Sequence, residues 1–194
     1  MGKEVVDKIP FVQAKRFQEL SPGRHVQLIV IHSMEAAEKG NTAEAVARFF
    51  ANGSGGRAAS AHYCIDNNSI VQCVQTKDVA FGAPNANRNG IHLEHAGFAR
   101  QTKAEWMDEF SLAMLKNSAW LCGLVLIPKF RIPVQFLNAA DLKRAREDTD
   151  VKGFTTHAEV SKAFKPSGHT DPGKGFPMEE YLAFVTQAVA GTLK

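Results

Sequence analysis

The residues best suited to chemistry gather near the C-terminus, in Thr155-Thr156-His157 and His169-Thr170-Asp171-Pro172-Gly173, with His32 far upstream. Two imidazoles and one carboxylate suffice to hold a catalytic zinc whose fourth position stays open for water. Three features favour His32, His157 and Asp171 as that set. His32 ends an apolar run, His157 opens a short helical stretch after Gly153, and Asp171 precedes Pro-Gly in a tight loop that can hold a carboxylate still. A lone histidine is more often structural and an Asp before Pro more often a turn former, so only the three together point to a metal.

Those residues need elements that bring both ends of the chain together. His25-Val26-Gln27-Leu28-Ile29-Val30-Ile31-His32 has the near-continuous apolar pattern of a strand buried on both faces. It leaves His32 at its C-terminal end, where α/β sheets place functional groups. Asn41 with Glu44 three residues later resembles a capping box for a helix to about Phe50, stopped by Asn52-Gly53. Ala61 to Ile65 and Ile70 to Gln75 flank the turn Asp66-Asn67-Asn68-Ser69 and predict a hairpin.

A polar loop from Phe81 to Gly90 leads into Ile91-His92-Leu93-Glu94-His95. Strand alternation puts His92 and Glu94 on one face and Ile91, Leu93 and His95 on the other. A Glu on an inner strand face needs a reason. From Ala104 to about Leu126 apolar residues recur at helical spacing, the pattern of a long core helix. Pro128 and Pro133 bracket a connection into Val134 to Leu137, an expected edge strand, and Asn138 can cap a helix through Arg146. A turn of helix from Ala158 to Phe164 follows His157, and Met178 to Ala190 is an amphipathic closing helix. The expected architecture is α/β: residues 1–24 as an N-terminal arm with a turn at Ser21-Pro22-Gly23, and residues 25–194 as one domain.

Composition is compatible with this. A chain of 194 residues, 44% hydrophobic and 22% charged, suits a single globular domain with a sizeable core. The formal charge is only +3, and basic and acidic residues are interleaved. That implies mild attraction to anionic polymers such as those of cell walls, and no nucleic-acid partner. Cys64, Cys73 and Cys122 form no C-x-x-C motif, and the first two are expected as small core residues on consecutive strands. The N-terminus has no apolar stretch of the signal-peptide kind, and no run near 18 apolar residues stands out, so cytoplasmic synthesis without a membrane span is expected.

Taken in order, Ile29-Val30-Ile31-His32-Ser33, Ala59-Ser60-Ala61-His62-Tyr63-Cys64-Ile65-Asp66, Gly153 to His157 and His169-Thr170-Asp171-Pro172-Gly173 resemble the successive signatures of zinc-dependent N-acetylmuramoyl-L-alanine amidases. That family includes phage endolysins, bacterial muropeptide amidases and peptidoglycan recognition proteins. The resemblance spans roughly residues 25 to 190. Gly90-Ile91-His92-Leu93-Glu94-His95-Ala96-Gly97 and Phe176-Pro177 are most similar to endolysins of actinobacterial phages.

The resemblance implies a single-domain central mixed sheet flanked by helices, and hydrolysis of the amide joining N-acetylmuramic acid to L-alanine in peptidoglycan. It implies one zinc per chain on His32, His157 and Asp171. The family's second acidic group falls on Glu94, expected as the proton shuttle, and its Lys two residues before the last ligand falls on His169, expected to stabilise the oxyanion. The implied protein is a monomeric bacteriolytic enzyme that acts on the cell wall after release from the cytoplasm.

The chain departs from the family pattern in several places. His92 stands where the family prefers Gly, Gly82 where a loop His is common, and Ala61 where a Tyr precedes the second signature's His. Tyr63 therefore does not inherit that Tyr's role, and His62 is expected in a supporting position. The longer spacing from His157 to Asp171 suggests an insertion at Lys162 to Gly168 and makes His169 a competing ligand. A non-catalytic peptidoglycan-binding module of the same fold is the alternative function; such modules typically lack a zinc ligand, and here all three are present. A cysteine hydrolase on Cys64 or Cys73 would lack the strand-to-helix turn that lowers a thiol pKa.

Overall fold

A computed structural model describes every residue except 1–3, 5, 7, 21–22 and 166–167, and the elements named below are those among the described residues. The Ser21-Pro22 turn and the middle of the expected 162–168 insertion thus lie outside the described residues. The strands are β1 (Phe17–Gln18), β2 (Leu28–Ser33), β3 (Tyr63–Ile65), β4 (Ile70–Gln72), β5 (Val79–Ala80), β6 (Gly90–His95) and β7 (Gly153–Thr156). The helices are α1 (Thr42–Ala51), α2 (Glu109–Leu121), α3 (Ile127–Phe130), α4 (Ala139–Arg144), α5 (His157–Phe164) and α6 (Met178–Val189).

The apolar run ending at His32 becomes β2, and all six of its residues are buried. Its position explains that: the main sheet has the order β4-β3-β6-β2-β7, with β2 between parallel β6 and β7. β3 runs parallel to β6, and β4 pairs antiparallel with β3 as the expected hairpin, so the sheet is mixed. Asp66 Oδ1 holds the hairpin turn by accepting from the backbone N–H groups of Asn68 and Ser69. β1 and β5 form a separate antiparallel ribbon.

One face of the sheet presents Ile29, Ile31, Ile91, Leu93 and Phe154 to Met114, Leu115 and Leu121 of α2 and Tyr181 and Val185 of α6. Each fully buried Ile or Leu there contributes about 1.5–3 kcal/mol. The opposite face is covered in two patches. Ala43, Ala47 and Phe50 of α1 pack on Cys64, Val71 and Cys73. Leu142 of α4 and Val160 of α5 pack on Leu28 and Val30.

Four expectations are corrected. Asn41 makes no capping hydrogen bond to α1; the Ala43 N–H is taken instead by Asp66 Oδ2 at 3.0 Å, from a turn distant in sequence. The long core helix starts at Glu109 and not at Ala104, because Asp108 adopts extended backbone and caps it through the Ser111 N–H at 2.8 Å. Pro128 does not end the helical stretch: a π turn, Cys122–Leu126, precedes α3 and accommodates the residue that lacks an N–H. Val134 to Leu137 makes one isolated bridge, Phe136 to Phe154, and no strand. The helical stretch Glu109–Phe130 is long and apolar enough to cross a membrane by composition, yet 61% of its most apolar window is buried inside this fold, where it serves as the core helix.

Candidate metal centre

β2 and β7 run parallel, with Ile31 opposite Thr156, so His32 and His157 follow one another at the same edge of the sheet. Thr156 ends β7 and caps α5, its Oγ1 accepting from the Glu159 N–H at 3.1 Å. The cap fixes His157 as the first helical residue, and its ring centroid lies 4.9 Å from that of His32. Asp171 enters from the following loop, anchored by the Ala158 N–H donating to its backbone carbonyl at 3.0 Å. Gly173 keeps that loop close to the fold. Its φ is +91°, and a Cβ there would lie 1.8 Å from the Ala99 carbonyl oxygen.

The three side chains converge. His32 Nδ1 is 3.0 Å from Asp171 Oδ2, and His157 Nδ1 is 3.1 Å from Asp171 Oδ1. One potential ligand atom from each residue lies within 4.8 Å of the other two, and Asp171 is only 8% exposed. A tetrahedral zinc with ligands at about 2.0–2.2 Å needs them roughly 3.3 Å apart, so small movements would complete the shell.

Protonation suits a cation as well. Burial lowers the pKa of His32 more than the neighbouring Asp171 raises it, which favours the neutral imidazole. Burial pushes the Asp171 carboxyl up, but hydrogen bonds from His157 and His32 more than offset it, and the group is held below the ordinary carboxylate range. A neutral His32 imidazole beside an ionised Asp171 carboxylate is what metal ligation requires of these two groups.

Glu94 lies opposite His32 in the β6–β2 register. Its Oε2 is shielded from solvent and lacks a hydrogen-bond partner among the described residues. Burial, followed by the charge of Asp171, raises its pKa well above the usual range. A cation between the imidazoles and Asp171 would be the counter-charge this carboxyl lacks, which makes the donor set and its surroundings a fit for zinc.

His169 sits at the rim. Its ring stacks on His157 at 4.2 Å between centroids, its Nδ1 is 3.4 Å from Asp171 Oδ1, and its side chain is 57% exposed. Beside it opens a cavity of ≈ 450 Å³ lined by Phe136, Glu159, Thr170 and Phe176, among others. In the expected insertion, Lys162 to Phe164 simply complete α5.

Strand alternation in β6 is as expected. His95 faces the core, hydrogen-bonded to Ser118 Oγ at 2.8 Å, whereas His92 shares the face of Glu94 and lies 3.0 Å from His32 Nε2 through its Nδ1. His62 is buried behind His92, with the rings stacked, and Tyr63 points into the opposite core. Arg24, which nothing in the sequence singled out, reaches His62 Nε2 at 2.7 Å and the carbonyls of Asn87, Arg88 and Gly90. Cys64 and Cys73 are free and buried, with Sγ atoms 3.8 Å apart; burial first, then the neighbouring Cys73, pushes the Cys64 thiol well up, away from a nucleophilic thiolate.

Solved structures share this architecture at low identity. The Staphylococcus aureus hydrolase AmiA aligns with a TM-score of 0.65 at 16% identity, over 96% of this chain and 86% of its own. AmpD gives 0.64 at 17% identity, over 95% and 98%. The amidase LysC from Clostridium intestinale gives 0.61 at 17% identity, over 92% and 97%. Among curated proteins no sequence match was found. The profile described as N-acetylmuramoyl-L-alanine amidase matches residues 22–174, well over half of the 194, and includes His32, Glu94, His157, His169 and Asp171. The chain belongs to the N-acetylmuramoyl-L-alanine amidase family.

Proposed function

We propose that the protein is a zinc-dependent N-acetylmuramoyl-L-alanine amidase that cuts the amide between the lactyl group of N-acetylmuramic acid and L-alanine in peptidoglycan. The observation that carries this reading is the convergence of His32, His157 and Asp171, with Glu94 opposite His32 and its buried Oε2 without a hydrogen-bond partner among the described residues. His32 and His157 would hold the ion through neutral imidazoles and Asp171 through its carboxylate. Bound there, zinc would supply a Lewis acid that acidifies water and polarises the scissile carbonyl.

The remaining steps belong to the protein. Glu94, aligned with His32 across two parallel strands, takes the proton of the attacking water and returns it to the leaving amine. Its raised pKa suits both halves of that cycle, since the acid form must persist long enough to protonate nitrogen. His169, exposed at the rim beside the ≈ 450 Å³ cavity, donates an N–H to the oxyanion that develops on the carbonyl. The full complement of ligand types favours catalysis over a binding-only role, and the likeness to endolysins supports action on the cell wall after release.

Mass spectrometry of peptidoglycan digested by the purified protein tests this. Amidase activity leaves intact stem peptides with a free L-alanine amine and uncut glycans whose muramic acid residues carry free lactyl carboxylates. Cut stem peptides, cut glycan strands, or an undigested wall with zinc-loaded protein would overturn it.

A further inference from the structure

His92 touches the proposed metal-ligand set, and the proposed mechanism leaves it unused. It is fully buried, and its Nδ1 lies 3.0 Å from Nε2 of His32. The other nitrogen of His32, Nδ1, is the one that faces Asp171 at 3.0 Å. Two ring nitrogens in contact can share only one proton along their axis, so the use made of Nδ1 determines which ring donates. With Nδ1 of His32 committed to a cation, the proton sits on His32 Nε2, and His92 must accept it through an unprotonated Nδ1.

The surroundings hold His92 in that position. Its backbone N–H donates to His62 Nδ1 at 3.0 Å, and its ring stacks on His62 at 5.7 Å between centroids. On a third side lies Gly82, where a Cβ would come within 2.6 Å of the His92 ring. The loop residue is glycine because the imidazole occupies the space of its side chain. Strand β6 supplies the last constraint, with His92 opposite Val30, two residues before the register position of His32.

We infer that His92 is a positioning residue: it accepts the Nε2–H of His32, locks that ring in the tautomer that presents Nδ1, and so raises the protein's affinity for zinc. A ligand histidine's second nitrogen normally donates to a carboxylate, a backbone carbonyl or water. Here a second imidazole, carried on the neighbouring strand, takes that place. The arrangement leaves His92 Nε2 as the proton-bearing atom, and that atom is buried without a hydrogen-bond partner among the described residues. The lock therefore costs one unsatisfied donor, a penalty an apolar residue at this position would not incur.

The inference rests on the zinc site proposed above, and the two fail differently. Zinc affinity is measured by competition with a chromophoric chelator for the wild-type protein and for His92→Phe and His92→Asn, with thermal denaturation reporting the fold. His92→Phe fills most of the space without an acceptor and should weaken zinc binding by about 10- to 100-fold. His92→Asn puts an amide oxygen near the position of Nδ1 and should recover most of that loss. Ring ¹⁵N NMR of the zinc-loaded wild type adds a readout independent of any variant's folding: His92 should carry its proton on Nε2 and His32 on Nε2. Unchanged zinc affinity in His92→Phe, equal losses in the Phe and Asn variants, or a His92 proton on Nδ1 would overturn the role of His92 while leaving the ligand set standing. A wild-type protein that binds no zinc would overturn both.

Discussion

Replacing Glu94 with glutamine separates proton transfer from everything else the site does. The two side chains have the same shape, so the amide occupies the space of the carboxyl on β6 beside His32. Oε2 of Glu94 has no hydrogen-bond partner among the described residues, so the change breaks none of their bonds at that atom. It also removes an ionisable group that burial disfavours in its charged form, as the raised pKa shows. Glu94→Gln should therefore unfold at the wild-type temperature or above it and keep one zinc per chain.

The rate should behave differently. A general base contributes about 10²- to 10⁴-fold, which at 1.36 kcal/mol per decade is about 2.7–5.4 kcal/mol of barrier. The assay is release of stem peptide from a soluble muropeptide, read as kcat/KM, with zinc content measured on the same samples. More than a tenth of the wild-type rate in a zinc-loaded Glu94→Gln protein would refute the assignment and move the base to another residue. Loss of zinc together with activity would make Glu94 a ligand instead.

Other substitutions test neighbouring claims. Asp171→Ala should lose zinc and activity together, by metal analysis and rate; full zinc in this variant with loss in His169→Ala would transfer the ligand role to His169. His169→Ala should otherwise keep its metal and slow turnover by roughly 10- to 1000-fold, the scale of an oxyanion donor, while His169→Lys keeps substantial activity with a shifted pH–rate profile. Gly173→Ala should destabilise by about 2–4 kcal/mol, since it combines positive φ with a clash against the Ala99 carbonyl, and a chemical denaturation curve reads this directly. Burial pushes the Cys122 thiol up from 9.0 to about 12, so between those values the unfolded chain has lost a proton that the folded protein keeps. Stability should fall as pH rises through that window, by up to about 1.4 kcal/mol per pH unit from this group, and Cys122→Ala should flatten the slope.

The parts of this fold that were legible in the sequence are those decided by periodicity or by a residue's own chemistry. β2 could be found because burial on both faces demands an unbroken apolar run, and β6 because alternation sorts His92 and Glu94 from His95 whatever the strand pairs with. The parts that were not legible depend on partners remote in sequence. The N-terminus of α1 is satisfied by Asp66 across a turn, which no local capping pattern can announce. Pro128 should stop a helix by its own geometry, and only the π turn before it changes the outcome.

The candidate site divides along the same line. His32, His157 and Asp171 sit near element ends or in a tight turn and Glu94 on a strand whose face is countable, so their types and order point to them as a set and through the family resemblance, not one by one. The pairing of His32 with His92 depends on the register of two parallel strands, and that of Arg24 with His62 on a side chain crossing from a loop. A shift of one residue in the β2–β6 register would turn His92 and Glu94 to the opposite face from His32, so the proposed proton shuttle and the histidine pair both depend on that register. The proposed metal centre, built this way, would be sensitive to anything that loosens the central strands, including the core packing of Ile31, Leu93 and Phe154 behind it.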